Sequence, residues 1–263
     1  MSNNNNTTIQ PIAFGTGGSS FNTNKSELYL ITNRKTAITS LYKIIDENKL
    51  SILNKKCKYL SHDKNIILEH EFGGLSNVKN KDILINNNII YFTSIRNPYD
   101  RFVSGYKMLK EQNYFKNNIS IMDVAIFIYN IYNTELTERI FNKSCHCKIC
   151  NNDYLFKNFN IIFNKHITYQ NYSQHFIGHI APQYNIIRPD LIASNIHYIR
   201  FENFDNECKI FFNNKNLQCF KERISKDKLN YKEFYKNYPE LKDLIYKIYE
   251  KDFTTFNYDN III

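Results

Sequence analysis

Short apolar runs alternate with polar breaks along the chain, and their spacing sorts them into strands and helices. Leu28 to Ile31 has strand length and character, Asn33 to Thr36 is a polar break, and Ala37 to about Asn48 reads as a helix. The same order recurs from Tyr91 to Leu109. There an apolar, aromatic and β-branched run ends at Arg96, and helical spacing begins just after Pro98. Proline fixes its own φ and biases the residue before it away from helix, so Asn97-Pro98 sets the turn. Ile66-Ile67-Leu68 reads as another strand, Ser120 to about Tyr132 as a helix, and a short helix is expected from Glu135. Ile196 to Phe201 follows as a strand and Phe204 to Asn213 as a helix. A proline-started helix from Pro239 carries Leu241, Leu244, Ile245 and Ile248 at core spacing and continues toward the aromatics that end at Tyr258.

Strands alternating with helices predict one α/β domain with a mainly parallel sheet. Its expected span is 25–258. Residues 1–24, dominated by Asn, Ser, Thr and Gly, cannot bury enough apolar surface to offset ordering entropy and read as a tail, as do 259–263. A chain of 263 residues with 43% hydrophobic content is long enough for a sizeable core. Lys+Arg 34 against Asp+Glu 25 gives a formal charge of +9, which favours anionic partners without choosing among nucleotides, acidic glycans and nucleic acid. Frequent Asn, Lys, Ile and Tyr with no Trp look like A+T-rich coding bias, which discounts part of that basicity. The amino terminus lacks a signal-peptide pattern, and no stretch approaches the roughly 18 apolar residues of a spanning helix. The expectation is a soluble, cytoplasmic protein with its six cysteines reduced.

Two segments carry anion-binding chemistry. Arg96 stands at the carboxyl end of a strand, where open α/β sheets bind ligands, and Ser104 follows on the next helix; a guanidinium fork plus a hydroxyl suits a phosphate. Asp100 and Arg101 could pair, or Arg101 could add a second charge to the site. In Lys35-Thr36-Ala37-Ile38-Thr39-Ser40-Leu41 the first helical turn offers backbone N–H groups to an anion, with Thr39 and Ser40 as side-chain donors and Lys35 as the charge. A Walker A loop would need glycines before its lysine. None stands here, which argues against an ordinary ATP or GTP site.

A general base is expected near the end of the Ile66–Leu68 strand, where His70 and Glu71 stand; His62 reads as structural or exposed. Cys145, His146, Cys147 and Cys150 are soft ligands, but no second C-x-x-C or spaced His pair accompanies them, and no metal is assigned.

Arg96 to Tyr106, R-x-P-x-D-R-x-x-S-x-Y, resembles the 3'-phosphate-binding segment of sulfotransferases that use 3'-phosphoadenosine 5'-phosphosulfate (PAPS). Lys35 to Leu41 resembles their 5'-phosphosulfate loop, commonly K-x-G-x-T-S-L, with Ala37 in place of glycine. His179-Ile180-Ala181-Pro182-Gln183 is similar to the H-W-R-P-Q of carbohydrate sulfotransferases related to the HNK-1, chondroitin and uronyl enzymes, without the central Trp-Arg. Arg200-Phe201-Glu202-Asn203 resembles G-R/K-F-E-N/T-L. Ile248 to Tyr258 resembles the terminal I-Y-x-x-D-F-x-x-F-G-Y, with Asn257 replacing glycine. The likeness runs in order from about Leu28 to Tyr258.

That resemblance implies a P-loop nucleotide-kinase-like, three-layer fold and transfer of a sulfuryl group from PAPS to a hydroxyl, with 3',5'-ADP as product. By it, Arg34, Lys35, Thr36, Ala37, Ile38, Thr39 and Ser40 bind the 5' end of the donor, and Arg96 and Ser104, with Arg101, bind the 3'-phosphate. Lys35 neutralises charge on the leaving phosphate, and His70, Glu71 or His179 takes the acceptor's proton. No metal is required, and the acceptor is a carbohydrate or another hydroxyl compound, with no nucleic acid or membrane partner expected. Two other classes stand against this reading. A P-loop kinase or ATPase would show Mg²⁺-dependent ATP turnover. A non-catalytic basic module for glycan or nucleic acid would bind with steep salt dependence and no preference for 3',5'-ADP over 5'-AMP.

Overall fold

The computed structural model describes residues 27–31, 33, 35–48, 89–132, 153–167, 176, 178–187, 189–191, 196–213, 217 and 230–259. Among the described residues, three strands, β1 (Glu27–Leu30), β2 (Ile89–Ile95) and β3 (Ile196–Arg200), lie in the order β1-β2-β3 and are all parallel. The register sets Tyr29 beside Tyr91 and Thr93 beside Tyr198. Parallel strands put their carboxyl ends on one edge, so Ile31, Arg96 and Phe201 leave the sheet side by side. The ladder outlasts β1 by one residue: Ile31 N–H still donates to Phe92 O at 2.9 Å.

Side chains alternate between the two faces, and each face is covered. Leu28, Leu30, Phe92 and Ile199 pack with α1 (Ile38–Glu47) and α7 (Phe204–Phe211). Tyr29, Ile31, Tyr91, Ile95 and Tyr198 pack on the other face against Ile187 and Phe256. The result is the expected three-layer α/β arrangement. Both faces being apolar explains why the strands read as continuous apolar runs in the sequence.

The largest core cluster lies among the remaining helices: α2 (Pro98–Glu111), α3 (Ile121–Tyr132), α4 (Asp153–Ile162), α5 (Gly178–Ile180), α6 (Gln183–Ile187), α8 (Tyr231–Asn237), α9 (Pro239–Ile248) and α10 (Glu250–Thr255). Local chemistry sets their starts. Asn97 Oδ1 accepts from Tyr99 N–H at 3.0 Å with Pro98 following it, and Ser120 and Asp123 bond reciprocally at 2.6–3.1 Å ahead of α3. The helix expected from Pro239 to Tyr258 is in fact two, broken at Tyr249 (φ −110°, ψ 21°). There the buried Tyr249 ring sends its hydroxyl to the Ile180 carbonyl, and the new direction of α10 carries Asp252 inward. The Ile66–Leu68 strand, the helix from Glu135, His62 and the cysteine cluster lie outside the described residues. Among the described residues no helix is long and apolar enough to cross a membrane.

Gly105 of α2 lets the α5 backbone approach closely: a Cβ there would stand 2.8 Å from His179 O. Gly105→Ala is expected to lower stability by about 1–3 kcal/mol, read as a drop in the denaturation midpoint, because a backbone atom must move. His197 stacks on Phe211 at 4.4 Å, and burial pushes its imidazole down from 6.5 to about 4. The unfolded chain then takes the proton first, so stability falls as pH drops from 6.5 toward about 4. His197→Phe should flatten that acid slope in urea titrations across the same pH range.

Candidate active site at the carboxyl edge of the sheet

The chain leaves β1 through Asn33 and Lys35, and reaches α1 by way of two left-handed residues, Lys35 (φ 65°) and Ala37 (φ 66°). Ala37 is the N-cap of α1 and provides no side-chain cap, so the first amides of that helix depend on other partners or an incoming anion. Thr36, between the two, is fully buried. Its hydroxyl donates to Asn33 O at 2.6 Å and lies 2.7 Å from Ser94 Oγ, on the neighbouring strand. The Thr36 hydroxyl thus braces the turn from beneath, which leaves its backbone for the donor contact that the resemblance implies. Ser40 is also buried, while Lys35, Ala37, Ile38 and Thr39 are partly exposed.

Arg96, directly after β2, is held on several sides. Nε donates to Asp100 Oδ2 at 2.7 Å, and Nη1 donates both to Lys35 O and to Ser104 Oγ at 3.2 Å. The guanidinium carbon lies 4.2 Å from the centre of the Phe201 ring. The side chain is 14% exposed, and among the described residues Nη2 makes no hydrogen bond. Ser104 accepts from Nη1 and so keeps its own hydrogen to donate. One open guanidinium nitrogen beside a hydroxyl donor is what an anionic oxygen requires.

Two further expectations are revised. Asp100 pairs with Arg96 and not with Arg101. Arg101 is 0% exposed, with Nη1 donating to Ala181 O at 2.5 Å, so its charge is directed into the core and not toward the open edge. His179 is likewise buried, at 8% exposure, on the short α5 packed against Gly105. That placement suits a packing residue better than a base that meets an acceptor from solvent. Arg34, His70 and Glu71 lie outside the described residues.

Sequence reasoning missed the residues that tie these pieces together. Gln183 is fully buried and bonds at once to Asn33, to Arg96 and to Asp252. Asp252 accepts from the Gln183 and Tyr184 N–H groups at 2.8 and 2.7 Å. Burial raises its carboxyl to about 6, against the pull of the Tyr184 amide, the Arg101 charge and Gln183. Glu202 accepts from Asn97 N–H at 2.6 Å and from the Tyr258 hydroxyl at 3.1 Å, and Arg200 stacks on Tyr258 and donates to Phe256 O. Burial, then the Glu202 carboxylate, hold the Tyr258 hydroxyl protonated by raising its pKa. The one available signal was that Gln183, Glu202 and Asp252 each fall inside a recognisable motif.

Backbone strain makes Ala37 a sharp test. Ala37→Val should cost about 1–3 kcal/mol, because a β-branched side chain at positive φ is a genuine outlier, whereas Ala37→Gly should be neutral or mildly stabilising in the same melting experiment.

The model of the sulfotransferase family matches residues 19–259. No curated protein and no solved structure matches the chain. The match takes in the Lys35 turn, Arg96, Ser104, Gln183, Glu202 and Asp252, and the parallel, doubly covered sheet agrees with the P-loop-like fold of that family. The chain belongs to the sulfotransferase family, whose chemistry is sulfuryl transfer.

Proposed function

We propose that this protein transfers a sulfuryl group from PAPS to a hydroxyl of a carbohydrate, in the manner of the HNK-1, chondroitin and uronyl types. The observation that carries the donor assignment is the joint at Arg96 Nη1, 3.2 Å from both Lys35 O and Ser104 Oγ. It brings the lysine-led turn and the arginine-serine pair to one edge of one sheet, as a nucleotide with phosphates at both its 3' and 5' positions demands. Had the two opened on opposite faces, no single donor could have met both.

In this reading the 3'-phosphate sits against Arg96 Nη2 and the Ser104 hydroxyl. The 5' end lies over the first turn of α1, where the backbone amides and Thr39 supply donors. Lys35 counters the charge that builds on the bridging oxygen as the sulfuryl group departs, where a fixed cation lowers the barrier most. The acceptor oxygen attacks in line, loses its proton to His70 or Glu71, and 3',5'-ADP leaves. His179 is not assigned this role because of its burial. The carbohydrate acceptor is supported by the H-x-x-P-Q, R-F-E-N and terminal motifs, which interlock through Gln183, Glu202, Asp252 and Tyr258.

The test is thermal stabilisation by 3',5'-ADP compared with 5'-AMP and ATP. The unmodified chain should respond most to 3',5'-ADP, and Arg96→Ala should weaken that response by about 10- to 100-fold in apparent affinity while changing 5'-AMP little, as loss of a charge-assisted phosphate contact dictates. Equal responses to 3',5'-ADP and 5'-AMP in the unmodified chain would overturn the donor assignment.

A further inference from the structure

Gln183 has no place in the chemistry just described, yet its side chain is fully buried at the centre of the site's support. Its amide pairs with the backbone of Arg96 in both directions: Arg96 N–H donates to Oε1 at 2.9 Å, and Nε2 donates to Arg96 O at 2.8 Å. An N–H can only be met by the oxygen and a C=O only by the amide nitrogen, so the backbone itself fixes which way the side chain points. Oε1 also accepts from Asn33 Nδ2 at 3.1 Å, and Asn33 donates to Ser94 O at 3.0 Å. Asn33 stands two residues before Lys35. Gln183 therefore touches both strands' exits at once, and Asp252 holds it through its own amide N–H at 2.8 Å and through Nε2 at 3.4 Å.

Resting on the donor assignment above, we propose that Gln183 is a positioning residue that sets the spacing between the Lys35 turn and Arg96, and thereby the span over which the two phosphate ends of the donor are gripped. It touches neither the nucleotide nor the acceptor. A donor phosphorylated at both ends needs this spacing, whereas a nucleotide with one phosphate meets only one of the two subsites. The consequence is selective: loosening Gln183 affects 3',5'-ADP far more than 5'-AMP.

The experiment measures binding of 3',5'-ADP and 5'-AMP by calorimetry to the full chain, to Gln183→Met and to Gln183→Glu. In Gln183→Met the preference for 3',5'-ADP should fall by about tenfold, the effect of roughly one to two lost hydrogen bonds. Gln183→Glu supplies the control for a variant that merely folds poorly. Its protonated acid can accept from Arg96 N–H and donate to Arg96 O as the amide does, while its carboxylate cannot donate and faces Asp252. Arg101 is the cation that acts on Asp252. The preference should therefore be lost at about pH 8 and return near pH 5.5, relative to the unmodified chain at the same pH. A Gln183→Met protein that melts earlier but keeps its preference would overturn the proposal and leave Gln183 a packing residue, as would a Gln183→Glu protein whose preference does not vary with pH. Absence of any preference in the unmodified chain would instead remove the donor assignment, and the proposal with it.

Discussion

A guanidinium at the open end of a strand must be held in one orientation without losing its capacity to bind an anion, and the fold around Arg96 meets that constraint. A free arginine side chain would give up about 2 kcal/mol of rotamer entropy on being fixed. Here Asp100 takes Nε, Lys35 O and Ser104 take Nη1, and Phe201 lies against the planar face. The four contacts come from three parts of the chain: the turn after β1, the first turns of α2 and the residue after β3. Fixing Arg96 is thus the same event as joining those parts at one edge. Asp100 does this without silencing the charge, because it takes Nε and leaves Nη2 without a hydrogen bond among the described residues.

The second layer is buried and polar, which makes it demanding. A half-satisfied polar network in a core is worse than none, since each orphaned group keeps its desolvation cost. Asp252, fully buried, is met by two backbone amides and the Gln183 side chain, with the Arg101 charge acting on it. Arg101 in turn donates to Ala181 O, and Tyr249 to Ile180 O, so α5 and α6 are fastened from both α2 and the C-terminal helices. Such a network admits few alternative arrangements. It converts the packing of two distant helices into the position of one backbone segment, Arg96.

The sequence disclosed what depends on neighbours in the chain. The strand-turn-helix units at Leu28–Asn48 and Tyr91–Leu109 follow from apolar spacing and from Asn97-Pro98, and the structure places β1, α1, β2 and α2 within a residue or two of them. The pairing of Arg96 with Ser104 was legible for the same reason, because eight residues on one strand-to-helix turn bring them together. What stayed hidden depends on partners far along the chain. Gln183 meets Asn33 across 150 positions and Arg96 across 87, and no local pattern encodes either contact. Arg101 misled for a related reason: its neighbours in sequence are site residues, but its turn of α2 faces Ala181.

The inward-facing Thr36 hydroxyl and the left-handed backbone on either side of it have one explanation. A non-glycine residue in the left-handed region costs about 1–2 kcal/mol, and Lys35 and Ala37 both adopt it. Such strain persists only where the surroundings over-determine the backbone. Thr36 is the anchor that does so, with its hydroxyl held by Asn33 O on one side and Ser94 Oγ on the other. A side chain committed inward in this way cannot also bind a phosphate, yet it is what turns the Lys35 carbonyl toward Arg96 and leaves α1 to begin without a side-chain cap. Lys35 and the first amides of α1 are placed by a residue that never reaches the open edge. A hydroxyl in a motif can therefore serve the anion through the backbone it bends and not through the bond it offers.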